Sequence, residues 1–332
     1  MRPSFATWRA NGYANAAVPR RADPSSLQEL AGRTMGTTWS LKFDNPLMVP
    51  LDTVRANAQA ALDRVIAQMS TWEPESGISR FNCATGGRHV IEPEFAQVLA
   101  CALHWAAATG GAIDPTVGPL VALWGFGAHA DASVPPAPAA LAAAHACVGW
   151  QRIAFDPAAS SILQPGGVSL DLSGIAKGFA VDHVACALQS LGLTDFLVEV
   201  GGELRAAGRR PGGQPWRVQI DGAPGAMAYI ALTDTAIATS GDRWSQREHD
   251  GKRWSHTIDP RSGEPTSHAL AAVTVLHPQC MHADALATAF TVLGPDEGLA
   301  FAQRHALAVL FVCREAEKHR VLASDAWPTQ AA

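Results

Sequence analysis

The sequence predicts an α+β fold, and three observations carry that reading. Candidate strands are short and often follow one another directly. Candidate helices fall in clusters and do not alternate one-to-one with strands, as a βαβ repeat requires. No internal repeat and no glycine-rich phosphate fingerprint of the G-x-G-x-x-G or G-x-x-x-x-G-K type occurs.

Taken in order, residues 1–30 read as a flexible leader and 31–325 as the folded domain. Alternation predicts a strand over Thr37–Phe43. A helix follows over Leu51–Met69, with Val54, Ala58, Leu62, Val65, Ile66 and Met69 at helical spacing. A second helix spans Glu94–Thr109 and is stopped by Gly110-Gly111. The Ala- and Pro-rich stretch 127–145 reads as a loop entering a short surface helix. Strands are expected near Arg152–Phe155 and Val168–Leu172, then a tight Ser173-Gly174 turn, with a helix opening at Lys177-Gly178 and running through Phe179–Leu191. Short strands at Phe196–Val200, Trp216–Ile220, Tyr229–Leu232 and Ala236–Thr239 are separated by glycine-rich turns. The last third gives a strand at Ala271–Leu276, helices at Ala283–Leu293 and Asp296–His305, and a strand at Ala308–Cys313.

Bulk properties exclude several classes of function. The 332 residues are 48% hydrophobic and 17% charged, the balance of a folded chain. A formal net charge of −5 argues against a basic nucleic-acid grip. No run of apolar residues is long enough for a membrane span. The N-terminal stretch has no apolar signal core, its Arg20-Arg21 pair is followed by polar sequence, and the first cysteine is Cys83. A cytoplasmic location is therefore expected, with a periplasmic one the alternative for an incomplete N-terminus. The six cysteines show no C-x-x-C pair or zinc spacing.

Four segments combine residue types suited to chemistry. In LDLSGIAKGFAVDH, Leu170–His183, a helix start offers N–H groups to an anion and Lys177 can neutralise a phosphate; alternatively Asp171 and Ser173 cap the helix and Lys177 is solvated. In MHADALATAF, Met281–Phe290, Asp284 and Thr288 lie one turn apart on one face. A carboxylate and a hydroxyl suit a hard cation such as Mg²⁺. The local alternative is that Asp284 complements the helix dipole while Thr288 bonds back to its own helix. His282 reads as a surface or capping residue more than as a metal ligand. In HTIDPRSGEPT, His256–Thr266, a tight turn follows His256, a residue type suited to general-base work. In Gly110–Gly127, glycines and prolines bracket an apolar stretch that can wall a ring pocket or form an irregular core strand.

These segments, with MGTTWS at Met35, MSTWEPESGISRFN at Met69, VEVGGELRAAG at Val198 and ATSGD at Ala238, occur in an order that resembles the ApbE family, the FAD:protein FMN transferases. The resemblance covers roughly residues 33–315. It implies an ApbE-like fold with mixed, mainly antiparallel sheets and an FAD site in a cleft between lobes. It implies transfer of FMN from FAD, with Mg²⁺, to a Thr or Ser hydroxyl of an acceptor protein, releasing AMP. Acceptors would carry a Thr-containing flavinylation motif and belong to redox complexes. The runner-up activities are FAD pyrophosphatase, giving FMN and AMP, and flavin binding without turnover.

By the same resemblance, Asp284, Thr288 and the Gly174 carbonyl are metal ligands. Met35 packs on the flavin and Trp72 stacks on FAD. Ala112, Ile113 and Asp114 contact FAD through backbone and carboxylate. Asp171 and Lys177 approach its adenosine and phosphate part, Ile258 makes a further contact, and His256 or Asp284 serves as the base. Glu203 receives no role. The alanines between Asp284 and Thr288 are expected to let the pyrophosphate and its metal come close to the helix.

Overall fold

The computed structural model describes residues 27–128, 134–220, 229–241, 246–250, 252–267, 269–315 and 318–328. The N-terminal half contains β1 (Leu27–Thr34), β2 (Thr37–Asp44), α1 (Leu51–Met69), α2 (Gly77–Cys83), β3 (Gly87–Val90), α3 (Pro93–Ala108), α4 (Gly118–Leu123) and α5 (Pro138–His145). Then come β4 (Ala154–Asp156), β5 (Ser161–Gln164), α6 (Ser173–Ser190), β6 (Phe196–Val200), β7 (Glu203–Ala207), β8 (Trp216–Gln219), β9 (Tyr229–Leu232) and β10 (Ala236–Gly241). The chain continues through β11 (Gln246–His249), β12 (Lys252–Ser255), β13 (Leu270–His277), α7 (Cys280–Arg304), β14 (Ala308–Glu315) and β15 (Lys318–Ala323).

The α+β expectation is met. Eight strands form one antiparallel sheet in the order β1-β2-β6-β7-β10-β13-β14-β15. Strand alternation sends neighbouring side chains to opposite faces. Phe196, Val198 and Val200 of β6 join the helix-side core, while Leu197 joins a second core under the β8–β9 hairpin. On β7, Leu204 and Ala206 turn to that hairpin. The alternate residues Glu203 and Arg205 therefore face α6, where they meet Lys177 and Asp182.

Several boundaries differ from expectation for physical reasons. β1 starts at Leu27, inside the segment expected as a leader, because its backbone pairs with β2 from Leu27↔Asp44 to Thr34↔Thr37; residues 1–26 lie outside the described residues. Val168–Leu172 is not a strand. Side-chain amides take the place of a neighbouring strand there: Asn82 bonds both the N–H (2.7 Å) and the C=O (2.9 Å) of Leu170, and Gln164 does the same for Val168. Ser173-Gly174 is not a separate turn but the first turn of α6. Ser79-Arg80-Phe81-Asn82, which by sequence reads as closing a turn, lies within α2, capped by the Ser76 hydroxyl, which accepts from Ser79 N at 3.1 Å. The two expected C-terminal helices, Ala283–Leu293 and Asp296–His305, are by contrast borne out: they lie end to end within α7, separated where Gly294 (φ 76°, ψ 176°) leaves the helical region before Pro295.

Candidate active site

The site is built on the crossing of α6 and α7, and two glycines make that crossing possible. A Cβ at Gly178 would lie 2.4 Å from the Cys280 carbonyl oxygen and 2.7 Å from Asp284 Cβ. A Cβ at Gly174 would meet Thr288 Oγ1 at 2.9 Å. Asp182 on α6 fixes the start of α7 by accepting from Cys280 N (3.0 Å) and Met281 N (2.9 Å), while pairing with Arg205 at 2.6 Å.

At this crossing Asp284 and Thr288 of α7 both reach across to α6. Asp284 is 3% exposed, and its Oδ2 accepts from Gly178 N at 2.8 Å. Thr288 Oγ1 donates to the Gly174 carbonyl at 3.3 Å. In a regular helix the Gly178 N–H pairs with that same carbonyl, so the two interhelical bonds share one helical turn of α6. The local alternatives, dipole complementation and back-bonding, do not describe either residue. The alanines have a different task from the one expected. Ala283, Ala285, Ala287 and Ala289 are fully buried in the helix-side core, where small side chains set the helix packing distance.

Asp284 and Thr288 open onto a cleft of about 250 Å³, shared with Gly174, Lys177, Asp171, Ala112, Ile113, Asp114, His256 and Ile258. Ten of the expected site residues are thus gathered in one place. Asp171 Oδ1 accepts from Ser173 N at 2.8 Å, a local bond that fixes the chain where it enters α6 beside the cleft. The carboxylate of Asp114 is already committed within the protein. Its Oδ1 accepts from Thr116 N (2.8 Å) and Thr116 Oγ1 (2.7 Å), and its Oδ2 from Trp150 N (2.9 Å). It holds the wall formed by residues 110–117, and burial pushes its carboxyl up from the usual range.

His256 leads into the tight turn read from the sequence. Asp259 N donates to Glu264 O, Gly263 N to Asp259 O, and Thr266 N to Thr257 O. His145 and Trp124 bond the carbonyls of Pro260 and Gly263, which anchors the turn to the neighbouring wall. Phe126 stands edge-on to His256, with ring centroids 6.3 Å apart.

Two expected residues lie elsewhere. Met35 and Gly36 form the two-residue β1–β2 turn, both with positive φ (47° and 70°), as a type I′ hairpin demands. Met35 packs against the helix-side core and not in the cleft. Trp72 follows the end of α1 and is 67% exposed. His282 faces away from the cleft set. Trp105 Nε1 donates to its Nδ1 at 2.9 Å, and burial together with His277 and His104 pushes it down to about 4.

One residue was missed. Glu203, 3% exposed, meets Lys177 Nζ at 2.5 Å. Burial works against the Lys177 ammonium, but the Glu203 and Asp284 carboxylates hold it above the ordinary lysine value. Burial pushes both Glu203 and Asp284 up from the usual carboxylate range, against the pull of Lys177. A glutamate after Gly-Gly carries no motif by itself. The signal available was the strand alternation of ELRAA, which turns Glu203 and Arg205 to the same face.

The arrangement can hold an anion beside Lys177 and a hard cation at Asp284, Thr288 and the Gly174 carbonyl. Among the described residues no three His, Cys, Asp or Glu side chains gather into a metal site. One carboxylate with two neutral oxygens suits a cation that completes its shell with substrate phosphate oxygens and water.

The ApbE family model matches residues 35–311. The chain is 41% identical over 298 residues to the FAD:protein FMN transferase of Haemophilus influenzae, covering 86% of each. Among solved structures it is similar to the flavin transferase ApbE of Vibrio cholerae, at 37% identity and TM-score 0.85, covering 92% of this chain and 99% of that one. It is also similar to the flavinyl transferase ApbE of Pseudomonas stutzeri in its apo form, at 35% identity and TM-score 0.86, covering 92% and 97%.

Proposed function

The chain belongs to the ApbE family, and from that premise we propose that it transfers FMN from FAD to a Thr or Ser hydroxyl of an acceptor protein. The observation that carries the reading is the pair Asp284 and Thr288, both reaching across to α6 at the floor of the cleft. In the transfer, the acceptor hydroxyl oxygen forms a bond to the phosphorus of the FMN half. The bond from that phosphorus to the oxygen of the AMP half breaks, and AMP leaves.

Asp284, Thr288 and the Gly174 carbonyl would hold Mg²⁺, which when bound supplies positive charge to the pyrophosphate oxygens. Lys177 adds a fixed ammonium from the cleft wall. His256 takes the proton of the attacking hydroxyl, a poor nucleophile until a base assists it. Ala112, Ile113 and Ile258 give the apolar and backbone surface beside the phosphates. Asp114 and Asp171 keep the walls in place. A cleft of about 250 Å³ fits the middle of FAD, and Met35 and Trp72 are assigned to the rings that extend beyond it. The acceptor is a protein with a Thr-containing segment, of the kind found in redox complexes. No helix among the described residues is long and apolar enough to cross a membrane.

The test is incubation with FAD, Mg²⁺ and a Thr-bearing acceptor, followed by denaturation. Flavin that stays on the acceptor, with one AMP released per adduct, supports transfer. Equal release of free FMN and AMP with or without acceptor, and no adduct, would instead identify a pyrophosphatase.

A further inference from the structure

We propose that Glu203 is a positioning residue for the reaction: it anchors the Lys177 ammonium so that its remaining N–H groups point into the cleft. This rests on the transfer reading above. Glu203 opens β7 directly after the Gly201-Gly202 turn, and backbone pairing with Val200 holds it there. The strand's alternation turns its side chain to α6. Its Oε1 lies 2.5 Å from Lys177 Nζ, and its side chain is 3% exposed while that of Lys177 is 36% exposed. The glutamate therefore sits behind the lysine, and the lysine lines the cleft. An ammonium has three donors, and Glu203 engages it from behind.

Two further observations support a role beyond packing. Glu203 Oε2 is buried without a hydrogen-bond partner. A buried charge with an unsatisfied oxygen is poor stabilisation, and well-packed apolar residues commonly do as well or better. The turn also connects Lys177 to the hairpin that carries Met35. A Cβ at Gly201 would lie 3.0 Å from Thr37 Cγ2 and 3.4 Å from Lys177 Cδ. Glu203 thus ties the position of one cation to the framework of the large sheet. An unanchored lysine stem has several rotamers, and each displaces the charge relative to the phosphates. Phosphoryl transfer depends on such placement more than on covalent help from the protein.

The test is a double-mutant cycle with Glu203→Gln and Lys177→Met, read as kcat and KM for FAD, with thermal midpoints and riboflavin binding measured alongside. Glu203→Gln should lower kcat roughly tenfold or more while changing riboflavin affinity less than about twofold, because riboflavin has no phosphate. In the Lys177→Met background the same change should cost less than about twofold, since Glu203 acts only through Lys177. If Glu203→Gln does not fold, Glu203→Asp retains the charge but shortens the reach, and it should lower kcat with the same dependence on Lys177. Wild-type kcat in the glutamate variant, or an equal loss in both backgrounds, overturns the inference. Failure of the wild-type protein to transfer FMN would instead overturn the reading on which it rests.

Discussion

Gly178→Ala tests the crossing on which the site depends. The added Cβ would lie 2.4 Å from the Cys280 carbonyl oxygen and 2.7 Å from Asp284 Cβ. The first neighbour is backbone and cannot rotate away. Relief to an ordinary contact requires a separation of about 1 Å between α6 and α7. That displacement would lengthen the Gly178 N to Asp284 Oδ2 bond from 2.8 Å beyond hydrogen-bonding range. Overpacking costs about 1–3 kcal/mol, and a lost bond to a carboxylate about 1.5–3 kcal/mol. Better helix propensity of alanine returns at most about 1 kcal/mol. A net loss of about 3 kcal/mol is expected, or a fall in melting temperature of roughly 6–12 °C. Transfer activity should fall with it, even well below the melting range. Gly86→Ala is the control, because its nearest neighbour is the Gln164 carbonyl oxygen at 3.6 Å. A Gly178→Ala protein that melts within 1–2 °C of wild type and retains full activity would refute the tight crossing.

Met35→Gly removes the cost of a left-handed non-glycine residue, about 1 kcal/mol, but also the packing of a half-buried side chain against the helix-side core; a denaturant titration should show little net change in stability while calorimetry shows weaker FAD binding, and unchanged FAD affinity would contradict the assignment of Met35 to the flavin. Asn82→Ala removes both hydrogen bonds to Leu170; a loss of about 2 kcal/mol and a raised KM for FAD are expected, because Asp171 and Leu172 border the cleft. His183 and His277 are both pushed down from the usual histidine range by burial. The unfolded chain therefore binds more protons below about pH 6.5, and stability is present above that value and lost as pH falls below it. Thermal melts from pH 7.5 to 5 should show this slope, and His277→Gln should flatten it; an unchanged slope would contradict the assignment to His277.

Elements with strong periodicity were legible. The helix over Leu51–Met69 matches its expected limits, and the strand Phe196–Val200 does too. Elements held by pairing with the adjacent strand of a hairpin were not. β1, β11, β12 and β15 are rich in polar and charged residues, and only their partner strands make them strands. Val168–Leu172 misled in the opposite direction. Its apolar alternation is that of a strand, but Asn82 and Gln164 satisfy its backbone. Ser173-Gly174 has the composition of a turn, yet that glycine serves the approach of Thr288. At the site, motif order identified the cleft residues Asp284, Thr288, Gly174, Lys177 and His256. It missed Glu203 because the Lys177 partnership depends on how β7 lies against α6. It placed Asp114 at the cleft as well, but gave no sign that Thr116 and Trp150 donate to its two oxygens.

In-gel flavin fluorescence of a Thr-bearing acceptor, treated with wild-type protein and with Asp284→Asn in the presence of FAD and Mg²⁺, tests the central claim most directly. The α6–α7 crossing as the transfer centre predicts a fluorescent acceptor band with wild type. It predicts a band weaker by at least about 100-fold, equivalent to roughly 2.7 kcal/mol of lost transition-state stabilisation, with Asp284→Asn. An equally bright band from the variant, or no band from folded wild-type protein, would contradict it.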